Sequence, residues 1–337
     1  MTTSLLRERD PVPSSTVPVP TTRYGGPRLD PAYYEPDRVP DIIERYAGPI
    51  DTLPPGSPGK VGLLELEFGR TPRGTELVQH YQKAPLQIMR PLYYDPARPD
   101  MPYTYLMSTG AGVMQGDRLR TDLVFGPGTS AHVTTSAWTK VLRMHHDYAV
   151  AQVNISVGED AFLEYLPDPV ILFAEARLYQ RTRLTLPPSA SVVVGETLVA
   201  GRLAHHDERH LYSALAADFE VCRPDGTVVA LDRVRLTPAD GATGDLAVLD
   251  DHDVLSMLYV LTSQASVAEV TELLHSALAP STTGGVIFGV SALPDDAGVW
   301  VRLLGDDTRS VGAAMTLAWQ SVRRLLTGGT APTIRKT

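Results

Sequence analysis

Three stretches of the chain echo one another at a nearly fixed interval, and that recurrence limits the fold more than any other feature. They are Phe125-Gly126-Pro127-Gly128-Thr129-Ser130-Ala131-His132-Val133, Val157-Gly158-Glu159-Asp160-Ala161-Phe162-Leu163 and Leu186-Pro187-Pro188-Ser189-Ala190-Ser191-Val192. Each joins one strand-like pattern to the next through a tight turn and a small residue, and the turn positions 126, 158 and 187 stand 32 and 29 residues apart. A period of about 30 residues falls in the range of architectures that stack one supersecondary unit per repeat. Regularly spaced hairpins in an ordinary sheet protein produce the same spacing. Both arrangements are β-rich, and the spacing alone leaves both open.

The residues between the turns support strands. Leu64, Leu66 and Phe68 alternate with Glu65 and Glu67, and Val153, Ile155 and Val157 alternate with Gln152, Asn154 and Ser156, the period of two expected of a half-buried strand. Further strands are predicted over 75–82, 103–107, 119–125, 191–199, 219–222, 227–236, 286–290 and 299–304, with Pro224-Asp225-Gly226 as a hairpin turn. Helices enter late. Ser266 and Glu269 form a capping box before Val267, Val270, Leu274 and Leu278, and Pro280 ends that run. A last helix over 310–326 carries Val311, Met315, Ala318, Val322 and Leu325 on one face, with Arg323 and Arg324 suited to its C-terminal dipole and Gly328 as its cap. The predicted fold class is mainly β, with stacked, β-helix-like multi-strand sheets and two α-helices in the C-terminal half.

Residues 1–60 are crowded with proline, including Pro11, Pro13, Pro54, Pro55 and Pro58, and hold few apolar side chains. They read as an extended or disordered arm outside the core, docking locally through Tyr33, Tyr34 and Tyr46. Residues 61–328 form the β-rich domain, and 329–337 read as a flexible tail.

Composition removes several function classes. A net charge of -9 with 39 acidic against 30 basic residues gives no basic stripe for a phosphate backbone, so nucleic acid is not an expected partner. Cys222 is the single cysteine, which excludes an intramolecular disulfide and any thiolate-rich zinc site. The N-terminal residues lack a signal-peptide pattern, and apolar runs such as 257–261 are too short for a bilayer. The expectation is a cytoplasmic protein with no membrane role.

The stretch 108–143 is the densest in signal. Its loop carries Gly110, Gly112 and Gly116, and invites a dinucleotide-binding reading. That fingerprint needs a helix after the glycines, whereas the residues after Gly116 alternate with a period of two and stop at Gly126-Pro127-Gly128. A Walker loop fails because Asp117 stands where a lysine belongs. Imidazole is concentrated at His145-His146-Asp147 and at His205-His206 with His210, a chemistry that suits nickel, zinc or copper, although solvated loop histidines fit these polar segments better. Glu164, Asp168, Glu175 and Glu196 sit in or beside strands, and Glu196 lies in an apolar run where burial raises a carboxyl pKa. Structural pairing with Arg177, Arg181, Arg183 or Arg202 is the plainer reading of these acids. No nucleophilic triad is evident, since Ser291 lacks the surroundings of a nucleophile elbow.

Several of these segments, taken in order, resemble the urease accessory protein family UreD, also called UreH. The matching residues begin with Gly112 and with Gly116-Asp117-Arg118-Leu119, Pro127-Gly128, Val133-Thr134-Thr135 and Thr139-Lys140-Val141 with Arg143. They continue through Leu163-Glu164-Tyr165-Leu166-Pro167 with Asp168, Gly201-Arg202, Asp232-Arg233-Val234-Arg235-Leu236 and the closing 322–328 segment. The resemblance spans about residues 61–328. It implies a chaperone rather than an enzyme, with no tightly bound cofactor, that scaffolds UreF and the GTPase UreG on apo-urease for nickel insertion. A transient nickel route would then draw on Asp117, Glu164, Glu175 and Glu196 and on His145, His146, His205, His206 and His210. Two other functions compete with it: a β-rich hydrolase using Glu164, Glu175 or Glu196, and a metal-buffering protein using the histidines.

Overall fold

The computed structural model describes residues 26–48, 61–205, 208–241, 243, 245, 248–334 and 336. In chain order its strands are β1 (Val61–Thr71), β2 (Gly74–Lys83), β3 (Leu86–Ile88), β4 (Tyr103–Ser108), β5 (Arg118–Phe125), β6 (Ser130–Thr135), β7 (Thr139–Val141), β8 (Ala149–Val157) and β9 (Phe162–Tyr165). They continue with β10 (Val170–Leu172), β11 (Arg177–Thr185), β12 (Ser191–Val199), β13 (Ala214–Cys222), β14 (Val228–Leu236), β15 (Val254–Leu261), β16 (Ile287–Ala292) and β17 (Val299–Gly305). The helices are a short α1 (Asp41–Glu44), then α2 (Val267–Leu278) and α3 (Thr308–Thr327).

The strands wind as a coil. β5, β8 and β11 lie parallel in a seven-stranded sheet, and β6, β9 and β12 lie parallel in a ten-stranded one. The pairing register reproduces the sequence repeat in both sheets: Arg118 pairs with Val150 and Ser130 with Phe162, each 32 residues on, then Ala149 pairs with Leu178 and Phe162 with Ser191, each 29 on. The stacked arrangement is therefore the one the chain adopts. β7 beside β10, which also pairs with β12, forms a short third side of the coil. Turns stack as well as strands, with the Gly158 amide donating to the Phe125 carbonyl at 2.7 Å. A Cβ at Gly158 would meet Pro127 N at 2.7 Å, so this close approach of two turns requires glycine.

Further strands extend the coil on both sides. β1 runs parallel to β5 and pairs with antiparallel β2, while β13 and antiparallel β14 close the other edge of the seven-stranded sheet. In the second sheet β4 lies beside β6 with β3 beyond it at the edge, and antiparallel β15, β17 and β16 follow β12. One core lies between the sheets, built from residues such as Phe68, Leu123, Ile155, Leu163, Val192 and Val194. A second lies between the ten-stranded sheet and α2 and α3, with Val193, Leu258, Leu274, Val311 and Val322. Alternation sends Val192 and Val194 to one core and Val193 to the other, so β12 is buried on both faces.

Both late helices form where the sequence places them. Ser266 Oγ accepts the Glu269 amide at 3.1 Å, and Gly328 closes α3 with φ +69°, its amide donating a hydrogen bond to the Arg324 carbonyl. α2 ends at Leu278, two residues before Pro280 as the sequence predicts, and a 3-10 segment, Ala279–Gly284, follows with that proline in its first turn, where a missing N–H leaves nothing unpaired.

Two expectations about the ends need correction. Residues 26–48 are not an arm outside the core: two 3-10 turns and α1 lie across the outer face of the seven-stranded sheet, with Ile43 fully buried and Tyr34 nearly so. That face carries Val150, Tyr179, Ala214 and Ala216, apolar side chains that need cover, and Ile43 supplies it. Tyr33 donates to Glu65 or Asp122, each at 3.0 Å, and the Arg177 guanidinium stacks on Tyr46. Residues 1–25 and 49–60 lie outside the described residues. After α3, Ala331 and Ile334 pack against the helix-side core and Lys336 is bonded to the coil, so these positions are docked rather than free.

Candidate functional site

A cavity of about 740 Å³ opens between the two sheets at the first turns of the coil. Leu64, Leu119, Ala151 and Val153 from one sheet and Leu106 and Tyr165 from the other give it mainly apolar walls. The glycine-rich loop forms part of its rim. Val113 donates to the Lys140 carbonyl at 2.7 Å and Leu142 donates back to the Val113 carbonyl, which straps the loop to β7. A Cβ at Gly112 would lie 2.4 Å from the Lys140 carbonyl oxygen, so this glycine is there for a close approach of backbone, not for a phosphate.

Two carboxylates line the cavity, Glu196 and Asp168. Glu196 shares the parity of Val192, Val194 and Leu198 on β12, which aims it into the core between the sheets. Thr182 Oγ1 donates to it at 2.6 Å and Gln180 Nε2 at 3.3 Å. Burial pushes its pKa up to about 7, against the pull of these two donors, so near neutral pH the group exchanges between acid and carboxylate. Asp168 follows β9 at the outer side, its amide donating to Thr135 Oγ1 at 2.8 Å and its carboxylate accepting from Lys336 at 2.9 Å. Arg202 also lines the space, but its guanidinium is held by both oxygens of Glu208 and stacks on Phe173.

Glu164 goes elsewhere. Leu163 and Tyr165 point between the sheets, so Glu164 faces α3, fully buried. It accepts from Arg323 at 2.7 Å, from Trp319 Nε1 at 2.8 Å, and lies 2.8 Å from His132 Nδ1. Arg323, fully buried, also donates to Asp95 at 2.5 Å, and Tyr103 donates to the same carboxylate. Glu164 and Glu196 thus lie on opposite faces of one sheet. Asp117 caps the loop, taking the Met114 amide at 2.8 Å, and burial raises its pKa to about 6. Glu175, at φ +60°, is partly exposed and paired with Arg143, which holds its carboxyl below the usual range.

The described histidines of the two clusters do not line the cavity. His145 and His146 are exposed, with their amides donating to Gln115 Oε1, and His205 is exposed in a turn. His210 is partly buried beside Tyr212, and burial lowers its pKa. His206 lies outside the described residues, among which no group of three or more His, Cys, Asp or Glu side chains could hold a metal ion. Of the other signature residues, Arg118 donates to the Tyr148 and Asp117 carbonyls, and Gly116 takes φ +74° beside Asp147. Thr134 and Thr135 contact Lys336, Lys140 lies on the rim, and Gly201 at φ +153° presses against the Glu208 carbonyl.

Sequence reasoning missed His132, Asp95 and the buried role of Arg323, and it missed Lys336 altogether. Arg323 stands four residues after Trp319 and beside Val322, a position on the buried stripe that its charge concealed. For Lys336 the sequence holds no such signal.

Comparison with known proteins agrees with this architecture. Residues 60–336 match the family model described as UreD urease accessory protein. The chain is 50% identical over 288 residues to urease accessory protein UreD 2 of Streptomyces griseus, covering 85% of this chain and 97% of that one. It is 38% identical over 281 residues to urease accessory protein UreD of Haloarcula marismortui, covering 83% and 92%, and 31% identical over 291 residues to UreD 2 of Brucella suis, covering 86% and 96%. With its coil, its signature loop and a match that runs through both sheets and both long helices, the chain belongs to the UreD urease accessory protein family.

Proposed function

We propose that the protein is a cytoplasmic, non-enzymatic chaperone of urease maturation, which scaffolds UreF, and through it the GTPase UreG, on apo-urease for nickel delivery. The observation that carries this reading is the family match across residues 60–336, joined to 50% identity with a relative named as a urease accessory protein. The nucleotide chemistry then belongs to UreG, and the glycine-rich loop serves as cavity rim.

Nickel is cargo in this scheme, and the cavity is its route. Apolar walls with carboxylates at Glu196 and Asp168 supply oxygen donors without the imidazoles that would retain nickel. A conduit needs binding weak enough for release. A carboxyl that titrates near pH 7 also suits exchange of a proton for a metal ion. Among the four acids the sequence offered, Glu196 lines this space, whereas Glu164, Asp117 and Glu175 serve an internal salt-bridge network, a loop cap and a surface ion pair.

Pull-down from cells co-producing UreF, UreG and urease tests the scaffold. The wild-type chain is expected to recover UreF and urease, and recovery of neither would end the proposal. Glu196→Gln is expected to keep the complex while lowering urease activation, because it removes the titrating oxygen but not the fold.

A further inference from the structure

Where the cavity meets solvent, a lysine occupies the place of a free cation. Lys336 Nζ lies 2.9 Å from Asp168 Oδ2, 2.8 Å from Thr134 Oγ1 and 2.6 Å from the Thr135 carbonyl oxygen. Its side chain remains 31% exposed while lining the cavity, which puts it at the mouth. The three oxygens are fixed by the coil and not by the lysine. Thr134 Oγ1 donates its proton to the Leu166 carbonyl at 2.6 Å, leaving lone pairs toward the ammonium. The Asp168 amide is anchored on Thr135 Oγ1 at 2.8 Å. Lys336 itself arrives on a separate segment beyond α3, tied down nearby by Ile334 on the helix-side core.

We propose that Lys336 is a tethered cation that plugs the cavity mouth, and that its withdrawal leaves a site for a hydrated divalent cation formed by Asp168, Thr134 and the Thr135 carbonyl. An ammonium and a hydrated metal ion ask for the same short contacts to charged and carbonyl oxygens. One carboxylate and two neutral oxygens leave most of a metal's coordination to water, so the ion is held loosely and released. A partner that draws the segment after α3 away would open the mouth only in the assembled complex. The proposal rests on reading the cavity as the nickel route, and its test separates the two.

The test is titration of the full chain with Mn²⁺, followed by the electron paramagnetic resonance signal of the free ion, with Ni²⁺ as competitor. Lys336→Ala is expected to bind one Mn²⁺ about tenfold or more tighter than wild type, since it removes a positive charge within contact distance of the site. Lys336→Met, which keeps the alkyl stem, should do the same, Lys336→Arg should match wild type, and adding Asp168→Asn to Lys336→Ala should abolish the gain. Equal binding by wild type and both neutral variants, or a gain that survives Asp168→Asn, overturns the plug. If the gain appears but Asp168→Asn and Glu196→Gln leave urease activation unchanged, the plug stands and the nickel route falls. If activation needs both carboxylates and the neutral variants bind no additional metal, the reverse holds.

Discussion

Glu196 concentrates the chemistry of the cavity in one side chain. Its folded pKa, near 7, is raised above an ordinary glutamate value of 4.5, so the folded state takes up the proton more readily than the unfolded chain. The group's contribution to stability is complete below about pH 4.5 and is lost as pH rises through about 7. Glu196→Gln cannot titrate. Its stability relative to wild type should therefore increase between pH 5 and pH 8, by up to about 3 kcal/mol, as measured by denaturant unfolding at both values. A difference that does not change with pH contradicts the burial of a titrating acid. At Gly112 the constraint is steric: Gly112→Ala should destabilise by about 1–3 kcal/mol, visible in the same unfolding curves, because its Cβ would meet the Lys140 carbonyl. The sequence makes Glu196 legible through its apolar neighbours. It leaves Glu164 ambiguous, because alternation tells which residues share a face but not which face meets the other sheet.

At the scale of elements, α3 shows where a helix is readable and where it is not. Its apolar stripe and Gly328 cap are local features, and they appear in the sequence as they do in the fold. Its N-cap is Asp307, which accepts the Arg309 and Ser310 amides at 2.9 and 2.8 Å, so the helix begins at Thr308, two residues before the sequence pattern predicts. The Ser310 side chain and amide, with the Arg309 amide, hold the Asp307 carboxyl below its usual range, so the cap contributes above the ordinary aspartate pKa and is lost as pH falls. Asp307→Ala should cost about 1 kcal/mol at neutral pH and less in acid, read from thermal melts at both pH values. The sequence pattern suits Arg323 to the helix dipole, yet in the fold it is the hub that joins α3 to β9 through Glu164 and to the loop before β4 through Asp95. Both partners lie more than 150 residues away in sequence, which is why no local pattern shows them. Arg323→Met should cost about 3–5 kcal/mol, because it leaves two carboxylates buried without their cation. A loss under 1 kcal/mol would mean that solvent reaches this cluster.

At the scale of the whole molecule, the coil was legible because its repeat is written into the turns: spacings of 32 and 29 residues become the pairing register in both sheets. The cover formed by residues 26–48 was not legible, since proline-rich composition says nothing of an apolar sheet face that needs a lid. Nor was the cavity, a space left where two sheets of small and apolar side chains do not meet. As proposed, nickel reaches urease by way of this chain and its Glu196. The most direct test is the nickel content of urease purified from cells that co-produce UreF and UreG, with the wild-type chain, with Glu196→Gln, or without the chain. We predict nickel loading with the wild type, clearly less with Glu196→Gln although the complex still forms, and near-background loading without the chain. Equal nickel in all three ureases would contradict the account.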